Sequence, residues 1–505
     1  MLGLKQFISP SATTRLSRNA FTSGSLSSLK PFSISHLSKF LSKPKLGSKC
    51  FSSSALSLDA SQRVPFRSLV SSCLRKSIDQ SVFGIQNIKF QSSQASSGIE
   101  GSNKTDESKN SSEGIERCPP VVGYWMLAMG AMVFGIVVVG GLTRLTESGL
   151  SIVEWNLIKG IKPPTSEEEW EREFEKYKQF PEFKKLNSLM TLEEFKFIFF
   201  MEWLHRLWGR AIGVAFVVPA VYFFSRGRLT PKVAKRSLGL AGLIGFQGGL
   251  GWYMVKSGLD HQLMEDPSAV PRVSQYRLAS HLGTAFLLYV GFMLTGFEIL
   301  SDNKLKRSPQ KGFLAPITDP RFRAFRGHAI GTTVLVFITA LSGAFVAGLD
   351  AGLVYNTFPN MGDSLIPPKE ELWSPLYSSN RKLIEDDKET PIGMWRNIFD
   401  NPTTVQFNHR ILAMTTLSSI VALYFLSRRL RLPRNARIGT NVMAGAGLAQ
   451  VSLGISTLIY LVPVPLAAAH QSGSLALLTS GLYLVHTLRR PLPLQAPEES
   501  TQPKK

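Results

Sequence analysis

Apolar residues cluster into eight blocks between residues 121 and 488. Each block is about 20 residues long, which is the length of an α-helix that crosses a lipid bilayer. The pattern therefore predicts an all-α integral membrane protein with eight transmembrane helices. We place these helices approximately at 121–143, 204–225, 237–256, 278–300, 328–348, 407–427, 440–462 and 466–488.

The loops between the predicted helices alternate in charge. Loops 226–236 and 428–437 each carry five Lys or Arg residues and no acidic residue, and 301–327 carries seven basic residues against two acidic ones. Residues 144–201 instead hold eleven Asp or Glu against nine Lys or Arg. Because basic loops stay on the inner side of a membrane, both termini are expected on that side, which is the matrix in a mitochondrion. The opposite, intermembrane face is expected to hold the long loops 144–203 and 349–406.

The second half of the apolar region repeats features of the first. A Pro-Pro pair occurs at 163–164 and again at 367–368, and each pair ends 41 residues before a His-Arg dipeptide, at His205 and His409. The fourth helix opens with "RLASHLGTAF" and the eighth with "LAAAHQSGSL". We predict two repeated four-helix bundles in the same orientation, a parallel repeat of the kind known in membrane proteins. We call them the N-terminal half (118–300) and the C-terminal half (328–490), joined by a basic matrix loop (301–327).

The net charge of +21 does not indicate a nucleic-acid-binding protein, because much of it lies at the N-terminus. Residues 1–98 hold 13 Lys or Arg and only two acidic residues, Asp59 and Asp79. A basic, Ser-rich and acid-poor N-terminus is typical of a mitochondrial or plastid transit peptide, with a disordered basic tail as the alternative. Residues 99–117 are predicted to be a polar linker, and residues 491–505 a polar tail.

Cysteine usage restricts the kinds of metal site that the chain can build. The only cysteines are Cys50, Cys73 and Cys118, and the first two fall in the predicted leader. The mature chain therefore has no internal disulfide, no zinc cluster and no Cys-ligated iron–sulfur centre. Any metal must be bound by histidine or by a carboxylate.

Four histidines lie near the start of the even-numbered helices: His205, His281, His409 and His470. Since these helices all begin at the intermembrane face, the four imidazoles are expected at similar depth. Two imidazoles on facing helices of a four-helix bundle can bind the two axial positions of a haem. A single histidine near a membrane surface is more often hydrogen-bonded or snorkelling, but two matching pairs favour ligation. We predict that each half binds the iron of one haem through its two histidines.

An acidic residue distinguishes the two halves. Glu202 lies three residues before His205, whereas Gln406 lies three residues before His409. Residues i and i+3 share a helix face, so Glu202 is expected to face the same cavity as His205. A carboxylate in a membrane helix is costly and indicates function. We predict chemistry in the N-terminal half and electron transfer in the C-terminal half, the alternative being that Glu202 only pairs with an arginine to anchor the helix.

The arginine after each of these histidines has two interpretations. Arg206 and Arg410 could pair with haem propionates, because a guanidinium group matches a carboxylate in geometry and charge. They could equally extend toward the lipid headgroups. The sequence leaves these alternatives open.

Several motifs together resemble heme A synthase in its mitochondrial and alphaproteobacterial form. They are the run "VVVGGLTRLTESGLSIVEW" (137–155), the "EWLHR" and "FNHR" motifs and the two later histidines, and the resemblance covers about residues 120–490. It implies a membrane oxidoreductase that oxidises the C8 methyl group of heme O to the formyl group of heme A, for cytochrome c oxidase. It further implies that His205 and His281 flank the substrate haem, that Glu202 is the essential acidic residue, and that His409 and His470 ligate a permanent haem b.

The resemblance also implies the surroundings of the protein. It predicts a mitochondrial inner-membrane protein, a ferredoxin-type electron donor in the matrix, and contact with heme O synthase and with the cytochrome c oxidase assembly machinery. A homo-oligomer stays open. Loop 144–203 lacks the cysteine pair of some bacterial relatives, so such a pair cannot carry electrons here. The alternative function is a di-haem membrane cytochrome that only passes electrons, or a haem-handling assembly factor, which would need no carboxylate at one site.

Overall fold

A computed structural model describes residues 117–156, 158–260, 271–307, 319–377 and 393–489. The predicted transit peptide, all but the last residue of the linker, part of the basic matrix loop and the polar tail lie outside these residues. In the described ranges the structure is helical, and β-pairing is limited to an isolated bridge between Met361 and Ser364. The prediction of an all-α protein is therefore confirmed for the described part of the chain.

Twelve α-helices occur in the described residues, and eight of them are long. In chain order they are α1 (Pro120–Leu145), α2 (Glu167–Lys178), α3 (Pro181–Lys185), α4 (Leu192–Ser225), α5 (Pro231–Gly258), α6 (Gln275–Arg307), α7 (Pro320–Gly348), α8 (Lys369–Leu372), α9 (Asn397–Asp400), α10 (Pro402–Arg428), α11 (Arg434–Ile459) and α12 (Val464–Thr487).

Seven of the long helices are apolar enough to cross a membrane, namely α1, α4, α5, α6, α7, α10 and α11. The remaining one, α12, has 24 residues and no Asp, Glu, Lys or Arg. Its hydropathy is reduced by the polar run "HQSGS" at 470–474. This polar run begins with His470, one of the four predicted haem ligands.

The long helices begin earlier than their apolar runs. Thr191 and Glu194 form a capping box that starts α4 at Leu192, thirteen residues before His205. In a capping box each residue satisfies an otherwise unpaired backbone N–H of the other. His281, His409 and His470 lie six or seven residues inside their helices. The four histidines therefore lie near the start of the apolar runs but further inside the helices themselves.

Four helices form the centre of the molecule. Helix α1 packs on α6, α6 on α7, α7 on α12, and α12 back on α1. Helices α4, α5, α10 and α11 pack outside them and carry exposed apolar side chains, such as Val214 and Val218 on α4 and Leu448 on α11. Large apolar side chains exposed on these outer helices suit contact with lipid.

A second, smaller core is formed by α2, α3 and the first turns of α4. Phe174 and Tyr177 on α2 pack against Phe195 and Phe199 near the start of α4. The rings of Phe174 and Phe195 are stacked, with centroids 4.9 Å apart. We call α2, α3 and the first two turns of α4 the external cap. It holds the loop after α1 against α4 just before His205.

Candidate haem sites

The structure brings the four predicted histidines together in two pairs. The ring centroids of His205 on α4 and His281 on α6 are 6.4 Å apart. Those of His409 on α10 and His470 on α12 are 6.5 Å apart. Two imidazoles on opposite sides of one metal ion, each with its nitrogen about 2 Å from the metal, have ring centres about 6 Å apart. Both pairs therefore fit the two axial positions of a haem iron.

The composition of these sites also fits a haem rather than an ion bound by protein alone. Among the described residues, no group of three or more His, Cys, Asp or Glu side chains could hold a metal ion. A porphyrin supplies four equatorial nitrogens, so two protein ligands are enough.

A glycine on a neighbouring helix faces each of the four histidines. A Cβ atom added to any of them would lie within 3.4 Å of the imidazole Cε1 atom. At Gly140, Gly251 and Gly454 a larger residue would crowd the ring edge. Gly251 lies in the Gly-rich stretch 245–252, whose composition predicts close helix approach or room for a flat ring, whereas sequence reasoning missed the other glycines. The distances from the added Cβ to Cε1 are 2.8 Å for Gly140 and His205, 3.2 Å for Gly251 and His281, 3.4 Å for Gly343 and His409, and 2.8 Å for Gly454 and His470.

The hydrogen-bond partners of the imidazole Nδ1 atoms differ between the two halves. The Nδ1 atom of His409 lies 2.7 Å from Ser342 Oγ, and that of His470 lies 3.2 Å from Gln450 Nε2. The Nδ1 atoms of His205 and His281 are buried and have no hydrogen-bond partner within the described structure. The imidazoles of the C-terminal half are therefore held by neighbouring side chains in a way that those of the N-terminal half are not.

Glu202 is buried, with 3% of its surface exposed, and its carboxylate is fully hydrogen-bonded. Its Oε2 atom accepts hydrogen bonds from Ser151 Oγ at 2.6 Å and from the Ile152 amide at 2.8 Å. Its Oε1 atom accepts one from Arg206 at 2.6 Å, so the pairing that was the alternative to catalysis is present. A catalytic role for Glu202 stays a prediction.

The two site arginines donate to backbone carbonyls of the loops that follow α1 and α7. Arg206 donates to Ile152 O at 2.8 Å and to Glu154 O at 2.9 Å, and Arg410 donates to Tyr355 O at 2.9 Å and to Asn360 O at 3.2 Å. The Arg206 side chain is only 8% exposed, which does not suit a side chain that extends into lipid headgroups. In both residues Nε is buried without a partner among the described atoms, so each guanidinium has a donor left for another acceptor.

A second buried carboxyl group lies in the external cap. Glu182 on α3 is 5% exposed, and burial raises its pKa to about 8. Its Oε2 atom has no hydrogen-bond partner in the described part of the chain. Sequence reasoning missed Glu182, because it is one of eleven acidic residues in loop 144–201 and nothing in the sequence distinguishes it from the exposed ones.

Comparison with known proteins agrees with this geometry. The COX15-CtaA family model, described as a cytochrome oxidase assembly protein, matches residues 123–482, which is more than half of the chain. The chain belongs to the COX15-CtaA family. The family resemblance read from the motifs is thereby confirmed, and the match includes all four site histidines.

Three curated relatives show how widely the family extends. "Heme A synthase COX15" of Bos taurus is 53% identical over 371 residues, which cover 73% of this chain and 82% of the relative. "Heme A synthase" of Rhodospirillum centenum is 41% identical over 383 residues, covering 76% of this chain and 91% of the relative. "Heme A synthase-mitochondrial ferredoxin fusion protein" of Schizosaccharomyces pombe is 50% identical over 375 residues, covering 73% of this chain and 60% of the relative.

Proposed function

We propose that the chain is a heme A synthase, a membrane oxidoreductase that converts heme O to heme A for cytochrome c oxidase. The observation that carries the proposal is the pair of His–His sites with ring centroids 6.4 and 6.5 Å apart in a chain of the COX15-CtaA family. The relatives named as heme A synthases, from an animal to a bacterium, support the same activity. They do not favour the alternative of a cytochrome that only passes electrons.

The two sites take different haems in this proposal. His205 and His281 flank heme O, the substrate, and His409 and His470 bind a permanent haem b, which passes electrons when it is bound. The difference between Glu202 and Gln406 supports this division, since only the first site has a carboxyl group three residues before its histidine. The iron ligands are thus all four histidines, two in each half.

Glu202 serves as the acid–base group. Oxidation of a methyl group through an alcohol to an aldehyde releases protons beside the ring, and a buried carboxylate one helical turn from His205 is placed to accept them. Its hydrogen bonds from Ser151 and Ile152 and its ion pair with Arg206 keep the carboxylate oriented. The unpaired Nε donors of Arg206 and Arg410 bind propionate oxygens.

The arrangement in the membrane is two four-helix bundles, α1 with α4–α6 and α7 with α10–α12, so that all eight long helices span the bilayer. Matching backbone features support a repeat. Glu147 and Asp350 are 203 residues apart, and each has a positive φ, at 50° and 52°. Gly140 and Gly343, which face the first histidine of each half, are also 203 residues apart. The membrane is the mitochondrial inner membrane, with both termini in the matrix.

The electron donor is a ferredoxin. The Schizosaccharomyces pombe relative, named as a fusion of heme A synthase with mitochondrial ferredoxin, supports this partner. A ferredoxin fused to the enzyme would remain close to it at all times, which raises its effective concentration. Heme O synthase and the cytochrome c oxidase assembly machinery are further partners, because they supply the substrate and receive the product.

Extraction of the haems from the purified full-length protein tests the proposal. A heme A synthase should hold haem b together with heme O, heme A or both, separable by chromatography. A protein that holds haem b alone, in both sites, would be an electron-transfer cytochrome and would contradict the proposed function.

A further inference from the structure

Ser342 determines which nitrogen of His409 carries the proton. The Ser342 hydroxyl donates its single hydrogen to the carbonyl oxygen of Thr339, 2.7 Å away. The contact of 2.7 Å between Ser342 Oγ and His409 Nδ1 must then be a bond in which Nδ1–H donates. A neutral imidazole has one N–H, so the Nε2 atom of His409 keeps its lone pair. Ser342 thus prepares Nε2 for binding a metal.

The corresponding position in the N-terminal half is Val139. Ser342 comes directly before Gly343, which faces His409, and Val139 comes directly before Gly140, which faces His205. Valine has no acceptor, and the Nδ1 atom of His205 is buried without a hydrogen-bond partner among the described residues. The tautomer and the orientation of the His205 ring are therefore less restrained than those of His409.

The second histidine of each half also differs in whether a side chain lies at its Nδ1 atom. Gln450 and Gln247 are 203 residues apart and each donates from Nε2 to the backbone carbonyl of the facing histidine at 2.9 Å. Only Gln450 also lies within 3.2 Å of a ring nitrogen, the Nδ1 atom of His470. The Nδ1 atom of His281 is buried and unpartnered in the structure as described. Both rings of the C-terminal half therefore have a side-chain partner at Nδ1, and neither ring of the N-terminal half has one among the described residues. Only Ser342 accepts from Nδ1–H, because an amide nitrogen such as Gln450 Nε2 donates.

We propose that Ser342 is the positioning residue that makes the C-terminal half retain its haem, and that valine at position 139 leaves the N-terminal half able to exchange its haem. This inference rests on the proposed function, in which one haem is permanent and the other is substrate and product. An acceptor for the N–H of the ring nitrogen that does not bind the metal, here Nδ1–H, fixes the ring and makes the imidazole a stronger ligand. Removing such a hydrogen bond commonly costs about 10–100-fold in metal affinity. A substrate site gains from weaker ligands, because product must leave.

The test uses three variants of the full-length protein, purified with its haems. Ser342→Val removes the acceptor, Ser342→Thr keeps a hydroxyl and serves as the matched control, and Val139→Ser adds the acceptor to the other half. A haem-scavenging apoprotein in excess measures how fast each haem dissociates, and a redox titration measures the reduction potential of haem b.

Ser342→Val should release haem b about 10–100-fold faster than wild type, in proportion to the lost affinity. Its haem b potential should rise, because a weaker donor stabilises ferric iron less. Ser342→Thr should restore both values, and Val139→Ser should slow the release of heme O and heme A.

Two outcomes would overturn the inference: haem b of Ser342→Val with the dissociation rate and potential of wild type, or unchanged heme O and heme A release from Val139→Ser. If Ser342→Val fails to fold, Val139→Ser alone decides, since it alters the other half. Wild-type protein that holds heme A beside haem b while these variants behave like wild type refutes this inference and leaves the proposed function intact. Wild-type protein without heme O or heme A refutes the proposed function instead.

Discussion

Position 202 in the N-terminal half and position 406 in the C-terminal half each lie three residues before the first histidine of a pair. Glu202 accepts three hydrogen bonds, from Ser151, Ile152 and Arg206. Gln406 instead donates one, from Nε2 to Tyr355 O at 2.9 Å, and its Oε1 atom is buried without a partner in the described residues. The difference is one of charge at nearly constant shape, so each half provides a control for the other.

Glu202→Gln tests the acid–base role. The variant keeps an acceptor for Ser151 and Ile152, and Arg206 keeps its two backbone carbonyls, so the fold should hold. Heme A formation should fall by about 100-fold or more, the usual scale for a positioned acid–base group. Haem b should remain, and heme O or a hydroxylated intermediate should accumulate, as measured by haem extraction. Near-normal heme A in this variant would show that the carboxylate is only a helix anchor.

Glu182 gives a prediction about stability and pH. Burial raises the pKa of Glu182 from 4.5 to about 8, the neighbouring Glu202 and Glu147 add to the rise, and Arg144 opposes it. Between these two values the folded protein holds a proton that the unfolded chain has lost, so the free energy of unfolding should fall as pH rises from about 5 to 8. Glu182→Gln, which cannot ionise, should remove this fall. The measurement is the thermal unfolding midpoint of the purified protein in detergent across that range, and an identical pH profile for both proteins would contradict the assignment.

Polar or charged residues within apolar runs could be predicted as site residues from the sequence. Residues whose role depends on how the helices pack could not. The four histidines and Glu202 are costly groups in apolar runs, so the sequence indicates them directly. The glycine at 140 and the serine at 342 are ordinary helix residues, and their roles depend on the rotation of one helix against another. The same reason hid Glu182, whose burial arises from the packing of α3 under α2 and α4.

At the scale of helices, periodicity located every long helix but misjudged the length of some. An apolar run marks the part of a helix in lipid, whereas the helix itself begins at its cap, as α4 does at the capping box of Thr191 and Glu194. Helix α12 is long but less apolar than the other seven, because the polar residues around His470 lower its mean hydropathy. A site built into a helix weakens the apolar signal by which that helix is recognised.

The close approach of helices at the histidines can be tested with two matched glycine variants. A Cβ at Gly140 would lie 2.8 Å from His205 Cε1, closer than real contacts allow, whereas a Cβ at Gly343 would lie 3.4 Å from His409 Cε1, an ordinary contact. Gly140→Ala should therefore displace the His205 ring and lower the heme O and heme A content several-fold, in line with the cost of overpacking. Gly343→Ala should keep haem b near the wild-type level. Equal haem loss from both, or from neither, would contradict these contacts.

Each half should lose its haem independently of the other half. Loss of an axial imidazole weakens haem binding in its own half, because the other pair keeps both ligands. His409→Ala or His470→Ala should remove the haem b absorbance, while His205→Ala or His281→Ala should leave haem b and lower heme A. Haem extraction and absorbance spectra of the four variants measure this. Equal loss of all haems from each folded variant would contradict two separate sites.

At the scale of the whole molecule, the two halves share one core rather than forming separate bodies. Helices α1 and α6 of the N-terminal half pack on α12 and α7 of the C-terminal half. Gln471, next to His470, donates from Nε2 to Val137 O on α1 at 2.8 Å. The contact joins the residue after His470 to α1, the helix whose Gly140 faces His205, so both histidine pairs adjoin one packed centre.

The orientation of the molecule in the membrane gives the last prediction. Basic residues at one end, such as Lys232 and Arg236, pair with Glu298 at 2.5 and 2.6 Å, while the external cap lies at the end nearest the histidines. Since basic loops remain on the matrix side, protease added to mitoplasts should cut in the external cap. The segment between α3 and α4 is the expected site, because Leu189 there is 79% exposed. A tag after residue 505 should stay protected until detergent is added. Cleavage of the tag with the cap intact would invert the topology, and the haem sites would then lie near the matrix, directly accessible to a matrix ferredoxin.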